Sequence, residues 1–266
     1  MTSSLDDDWW HLEQTAAAYV AFTRRHRRYQ LVSSALVDTL DLRTAREVVD
    51  VGAGTGLTVS SLLEHLGTGT RVVAVEPSAA MRCAADVDDK RVRWATSWPD
   101  HLVDVVTCSA AWWLLPSPIA ALTTWASQLR PGGQLAFSVP SLFVGLPDGD
   151  DDDDDGGLHE LVSCFLATRS LAPAATRPPP AANDVETHLR QLGLQSTRHD
   201  VAVAWSFDMQ ADWLRLPPVG LAMRPDLSLD DLDDAVHAAV KQVPEARRRG
   251  RRTERWTMWT ASRSAL

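Results

Sequence analysis

The sequence predicts an α/β fold: a doubly wound, mainly parallel sheet preceded by helices. Three observations carry that expectation. From Glu47 to Val139, short apolar runs alternate with amphipathic helical stretches, the order that βαβ units require. The run VDVVTCSA from Val103 is almost unbroken in its apolar character, as a strand buried on both faces must be. The run VVDV, from Val48, feeds straight into closely spaced glycines. At 266 residues, 45% apolar and 23% charged, the chain has the size and composition for a substantial core.

Residues 1–42 read as an N-terminal helical cap, with Leu31, Ala35, Leu36 and Leu40 near helical spacing. Residues 43–140 form the core region. VVDV is its first strand, and GLTVSSLLEHL an amphipathic helix with Leu62, Leu63 and Leu66 inward. VVAVE, ending at Glu76, is the second strand, and Pro77 stands near the start of the next helix. Val92 to Ala95 is a short third strand and the run from Val103 a fourth. Ser117 and Pro118 form an N-cap and first-turn pair for IAALTTWASQL. That helix is expected to stop at Pro131–Gly133, before a fifth strand, LAFSV. Right-handed crossovers then put a ligand crevice at the carboxyl ends of the strands.

After Val139 the regularity fails. Residues 141–200 are expected to hold a self-repelling acidic loop (DGDDDDDDGG, Asp148 to Gly157), a lid helix from Leu158 and a breaker at RPPPAAND, Arg177 to Asp184. Residues 201–266 complete the same sheet and add substrate-side helices. The segments QLGLQSTRHDVAVAWSF and ERWTMWTASR read as an antiparallel pair on the sheet edge.

Composition excludes several classes. Net charge is −9, which disfavours nucleic acid as a partner; the basic run Arg247 to Arg252 reads as a solvated loop before the last strand. No apolar run approaches the ~20 residues of a membrane span, and MTSSLDDDWW is not a signal peptide, so a cytoplasmic enzyme is expected. The three cysteines, Cys83, Cys108 and Cys164, give neither a disulfide framework nor a metal spacing. The acidic cluster lacks the pattern of a calcium loop, and no metal is expected.

A strand-to-helix turn of glycines lets a ligand approach the backbone and uses a helix N-terminus for recognition. Gly52, Gly54 and Gly56 form G-x-G-x-G, one residue shorter than the dinucleotide fingerprint G-x-G-x-x-G. Glu76, at the end of the next strand, is placed to accept both hydroxyls of a ribose. The pattern fits a nucleoside better than a pyrophosphate.

The pieces VVDVGAGTG, VVAVEPSAAM, DVVTCSAAWW and LRPGGQLAFSV resemble the class I S-adenosylmethionine-dependent methyltransferases of the small-molecule type. That resemblance implies a seven-stranded Rossmann-like sheet and S-adenosyl-L-methionine as cofactor. Gly52, Ala53, Gly54 and Gly56 would take its methionine part and Glu76 its ribose, with Pro77, Ser78 and Met81 flanking the adenine. Asp50 would orient the turn or meet the cofactor's ammonium. Thr96 and Ser97 stand where many relatives carry an acid against the adenine amino group. Ser109 and Ala110 would follow the fourth strand beside the methionine part.

Methyl transfer is an in-line displacement in which positioning supplies much of the rate, so a dedicated base is not obligatory. Of the eight histidines, His101 reads as a surface residue, while His11 and His26 lie in the N-terminal helices. The chain has 11 tryptophans. Aromatic faces attract a sulfonium and wall an apolar substrate. Trp112 and Trp113 are candidates for that role, whereas Trp94, Trp125, Trp256 and Trp259 read as core. Tyr29, after the run RRHRR, loosely resembles a tyrosine that approaches the methionine end in small-molecule methyltransferases; it is equally a half-buried helix tyrosine. As a base, Tyr29 defines the rival activity: cyclisation of S-adenosylmethionine, to 1-aminocyclopropane-1-carboxylate or an azetidine acid, with release of 5′-methylthioadenosine. The expected activity is methyl transfer to a small molecule.

Overall fold

A computed structural model of the protein describes residues 9–147, 157–167 and 180–265. The expected acidic loop at Asp148 to Asp155 lies outside the described residues. The chain forms a seven-stranded sheet in the order β3-β2-β1-β4-β5-β7-β6. Its strands are β1 (Glu47–Val51), β2 (Arg71–Val75), β3 (Val92–Ala95), β4 (Val103–Cys108), β5 (Leu129–Pro140), β6 (Leu194–Ser206) and β7 (Arg251–Arg263). The first five are parallel, and β7 runs antiparallel to β5. The chain divides into two compact units.

The sheet-bearing unit comprises Arg27–Asp148, Pro178–Val203 and Arg255–Leu266. β1 is buried at all five positions, which explains why its sequence shows no polar alternation. One core joins Val49, Val106, Leu135 and Phe137 to Trp112, Trp125 and Trp259. A second packs Val48, Val59, Leu62 and Val72 together with Leu66 and Val105. The helix Arg28–Asp38 belongs to this unit, burying Val32, Ser33, Leu36 and Val37.

The second unit comprises Met1–His26, Gly149–Arg177 and Ala204–Glu254. Its core gathers Leu161 and Phe165 with Phe207, Leu214, Leu221 and Val236. These residues lie on the helices Leu158–Leu166, Phe207–Leu214, Pro217–Met223 and Leu232–Gln242. Arg224 is 5% exposed; its guanidinium donates to both carboxylate oxygens of Asp226 and to the Phe165 carbonyl. Among the described residues no helix is long and apolar enough to cross a membrane.

Three local expectations change. Pro131–Gly133 does not separate a helix from a strand. The helix ends at Gln128, Leu129 already pairs with Val103, and the register shifts before Val105 pairs with Gln134. The intervening residues form a bulge that glycine permits: Gly132 has φ 78°, and a Cβ on Gly133 would meet the Asp104 carbonyl at 2.9 Å. The expected breaker at Arg177 to Asp184 contains the start of a helix, Ala182–Gln191, whose Val185 and Leu189 are buried; the sheet supplies the apolar partner. β6 consequently begins at Leu194, not Gln191. Ser117 occupies its N-cap position without a side-chain cap bond.

Candidate functional site

β1 ends at Val51, and the chain then takes a left-handed path at three glycines: Gly52 (φ 67°), Gly54 (φ 54°) and Gly56 (φ 91°). Gly52 N–H and Ala53 N–H both donate to the Val75 carbonyl, at 2.9 and 3.1 Å. The turn is thereby pinned to the end of β2. Glu76 follows immediately, 8% exposed, and its carboxylate accepts from Gly54 N–H at 2.9 Å and Ser78 N–H at 2.8 Å. Ser78 caps the helix Ala79–Cys83, its Oγ accepting from Met81 N–H at 3.1 Å. A Cβ on Gly54 would come no closer than 3.6 Å to any neighbour, the nearest being the Met81 methyl. A side chain at Gly54 would thus meet only ordinary van der Waals contact, while Gly56 is enclosed by Val87 and Trp94.

Asp50 is 1% exposed on β1. Thr107 Oγ1 donates to its Oδ1 at 2.7 Å, while Oδ2 is buried without a hydrogen-bond partner. In this structure Asp50 thus bonds to β4, not to the glycine turn. Burial pushes its carboxyl up to about 7; Thr107 opposes that rise and the charge of Glu76 adds to it. A donor or cation reaching Oδ2 would satisfy an atom that now has none, which is the chemistry expected of an ammonium-bearing ligand.

Glu76 N–H donates to the Ala95 carbonyl at 2.9 Å, which brings the exit of β3 beside the acid. Thr96 and Ser97 line a cavity of about 680 Å³ there with Arg82, Trp94, Trp98 and His101. Arg82, which the sequence did not single out, donates to the carbonyls of Glu76 and Pro77 at 2.6 and 2.9 Å. It fixes the backbone around the acid. His101 is held by Glu47 at 2.8 Å, at the end of β1 opposite the glycine turn.

The exit of β4 borders the same turn, since a Cβ on Gly52 would lie 2.7 Å from the Ala111 methyl. Ser109 is 8% exposed, and its hydroxyl accepts from Ser33 at 3.1 Å. Ala110 packs in a cluster with Tyr29, Val32, Trp113, Val203 and Trp256. The Tyr29 and Trp256 rings meet edge to face at 6.1 Å, and Trp113 lies 5.6 Å from Trp256 and 5.5 Å from Phe143. The Arg28 guanidinium, 3% exposed, stands over the rings of Tyr29 and Trp256 at 4.7 and 4.9 Å and donates to the Tyr29 hydroxyl at 2.8 Å.

The tryptophan pair therefore separates. Trp113 joins the Tyr29 cluster, but Trp112 is fully buried, donates to the Pro118 carbonyl at 2.9 Å and packs on Phe137. Of the pair, only Trp113 is partly exposed. Trp125, Trp256 and Trp259 are buried as expected, although Trp256 also floors the Tyr29 cluster. His26 is held in the second unit by Asp212 at 2.8 Å, which also takes Arg25 and Arg215; His11 is exposed. Arg28, Ser33, Ser138 and Arg82 had no sequence signal, because nothing in their spacing distinguishes them from ordinary helix and strand residues.

A profile of the methyltransferase-domain family matches residues 23–198, a span that contains the glycine turn, Glu76 and the β4 exit. The trans-aconitate 2-methyltransferase of Azoarcus sp. (strain BH72) is 29% identical over 220 residues, 79% of this chain and 81% of that protein. The Mycolicibacterium gilvum (strain PYR-GCK) protein of the same name is 35% identical over 113 residues, and the match spans only 43% of its length. A solved structure from Bacillus halodurans C-125 has a TM-score of 0.55 at 15% identity, covering 88% of this chain and 99% of that one; that likeness carries the fold alone. With the sheet order, the pinned glycine turn and the family match in agreement, the chain belongs to the class I S-adenosylmethionine-dependent methyltransferases.

Proposed function

We propose that this enzyme binds S-adenosylmethionine across Glu76 and the glycine turn and methylates a small-molecule acceptor beside Tyr29 and Trp113. The observation that carries the reading is the Glu76 carboxylate, fixed by Gly54 N–H and Ser78 N–H at the ends of β1 and β2. A carboxylate has about four acceptor positions, so those remaining fit the vicinal hydroxyls of a ribose. The left-handed backbone at Gly54 and the unpartnered Asp50 Oδ2 fit the amino-acid part. Pro77, Met81, Thr96 and Ser97 are assigned to the adenine, Ser109 and Ala110 to the methionine part.

When bound, the cofactor supplies a sulfonium methyl whose carbon–sulfur bond breaks, its electron pair going to sulfur, as an acceptor lone pair attacks in line. This chain's residues bind, orient and exclude water. Trp113, only partly buried, offers a ring to a cation, worth about 0.5–2 kcal/mol depending on desolvation, while Arg28 stands over the Tyr29 and Trp256 rings. Arg28 holds the Tyr29 hydroxyl and thereby the ring's place in the cluster. The small-molecule class of the acceptor is supported by the Azoarcus relative, a trans-aconitate 2-methyltransferase by name.

The test has two parts. Calorimetry with S-adenosylhomocysteine should show binding that Glu76→Ala weakens by about 10–100-fold, the loss of hydrogen bonds to a charged group; equal affinity would overturn the ribose assignment. Incubation with S-adenosylmethionine alone should leave it intact by mass spectrometry. Release of methylthioadenosine would overturn methyl transfer.

A further inference from the structure

Ala110 is the one non-glycine residue with positive φ among the described residues, at 53°. A side chain with a Cβ is sterically disfavoured in that left-handed region, and such a residue persists only where its surroundings impose it. The neighbouring Ala111 methyl is pressed against Gly52, and Ala110 itself packs with Tyr29, Trp113 and Trp256. The disfavoured residue therefore joins the glycine turn to the aromatic cluster.

A buried hydroxyl accepts from this residue. Ala110 N–H donates to Ser138 Oγ at 3.0 Å, and Ser138 is fully buried on β5. Ser109 Oγ lies 3.4 Å from the same oxygen. Ser109 in turn accepts from Ser33, whose hydroxyl is 3.0 Å from Thr58 Oγ1. Four hydroxyls, each less than a tenth exposed, thus link the helix Arg28–Asp38, the helix Leu57–His65, the β4 exit and β5. The strand next to β4 supplies an acceptor that the turn itself lacks.

We propose that Ser138 is a positioning residue for the methyl-transfer site: it holds Ala110 in the left-handed conformation and so sets the β4 exit against the glycine turn and the Tyr29 cluster. The inference rests on the functional reading above. Without the Ser138 acceptor, Ala110 N–H loses its partner and the residue relaxes toward negative φ, which shifts Ala111 relative to Gly52. Glycine at 110 would reach φ 53° without steric strain and so without a tether.

A double-mutant cycle in the full chain tests this, with S-adenosylhomocysteine affinity by calorimetry as the readout and thermal unfolding as the control. Ser138→Ala should weaken binding by about 10-fold, the effect of Ala110 leaving its left-handed conformation and displacing the β4 exit. Ala110→Gly is the second arm of the cycle: in that background Ser138→Ala should cost less than about threefold, since glycine reaches positive φ without steric strain. Should Ser138→Ala fail to fold, Ser138→Cys is the substitute, a near-isostere with a weak acceptor, for which the same loss and rescue are expected. Unchanged affinity in the Ser138 variant, or a double variant no better than it, overturns the positioning role while wild-type binding leaves the functional reading standing. A wild-type protein that does not bind S-adenosylhomocysteine overturns both.

Discussion

At the scale of single residues, Asp50 and Glu76 are two buried carboxylates with opposite bonding. Glu76 receives two backbone N–H groups; Asp50 has one donor and one unpartnered oxygen. Burial raises the Asp50 carboxyl to about 7 from an ordinary 3.8. A group with a raised folded-state value favours the fold while protonated. Its contribution is complete below about pH 4 and is lost as pH rises through about 7. Thermal unfolding of the ligand-free protein should therefore show wild type losing stability relative to Asp50→Asn across that window, by an amount on the order of a few kcal/mol. Parallel pH profiles for the two proteins would refute the assignment. Glu76 was legible in the sequence because a lone acid closes an apolar strand. The orphaned oxygen of Asp50 was not, since it depends on where Thr107 of β4 points.

At the scale of elements, the β1 turn and the helix it opens form a unit that the sequence states almost completely. Gly56 is the N-cap of Leu57–His65 in a left-handed conformation, and a Cβ there would lie 2.6 Å from the Val87 side chain. Gly56→Ala combines a left-handed penalty of about 1–2 kcal/mol with overpacking of about 1–3 kcal/mol. Urea unfolding should show a loss of at least about 2 kcal/mol; a loss below about 1 kcal/mol, less than the left-handed penalty alone, would refute both contributions. The glycine spacing announced this turn because few other residues adopt it. The bulge at Arg130–Gly133 and the start of Ala182–Gln191 were misread because Pro and Gly mark both loop and bulge. Only pairing with β4 distinguishes the two cases for Pro131–Gly133. For Ala182–Gln191, the deciding contact is the burial of Val185 and Leu189 against the main core.

At the scale of the whole molecule, the two tryptophans at the β4 exit differ in burial, Trp112 fully buried and Trp113 partly exposed. Trp112 lies within the principal core, so Trp112→Ala should cost about 3–5 kcal/mol in denaturant unfolding. Trp113 is half-buried against Phe143 and Trp256. Trp113→Ala should leave most of the stability and impair turnover or ligand binding. The reverse pattern would show the site to be misassigned. A sequence pair looks like one feature; the packed sheet gives its members different sides.

The sequence by itself determined the parallel sheet, the glycine turn, its acid and the family, because those features depend on local rules: burial on both strand faces, left-handed φ, and an acid at a strand end. The tertiary structure alone decided that Trp112 is core, that Arg28 bonds the Tyr29 hydroxyl and Arg82 the backbone around Glu76, and that Ser138 accepts from Ala110 N–H. Those facts depend on which side chains from distant segments converge, and convergence is set by the packing of the sheet, which no local pattern records.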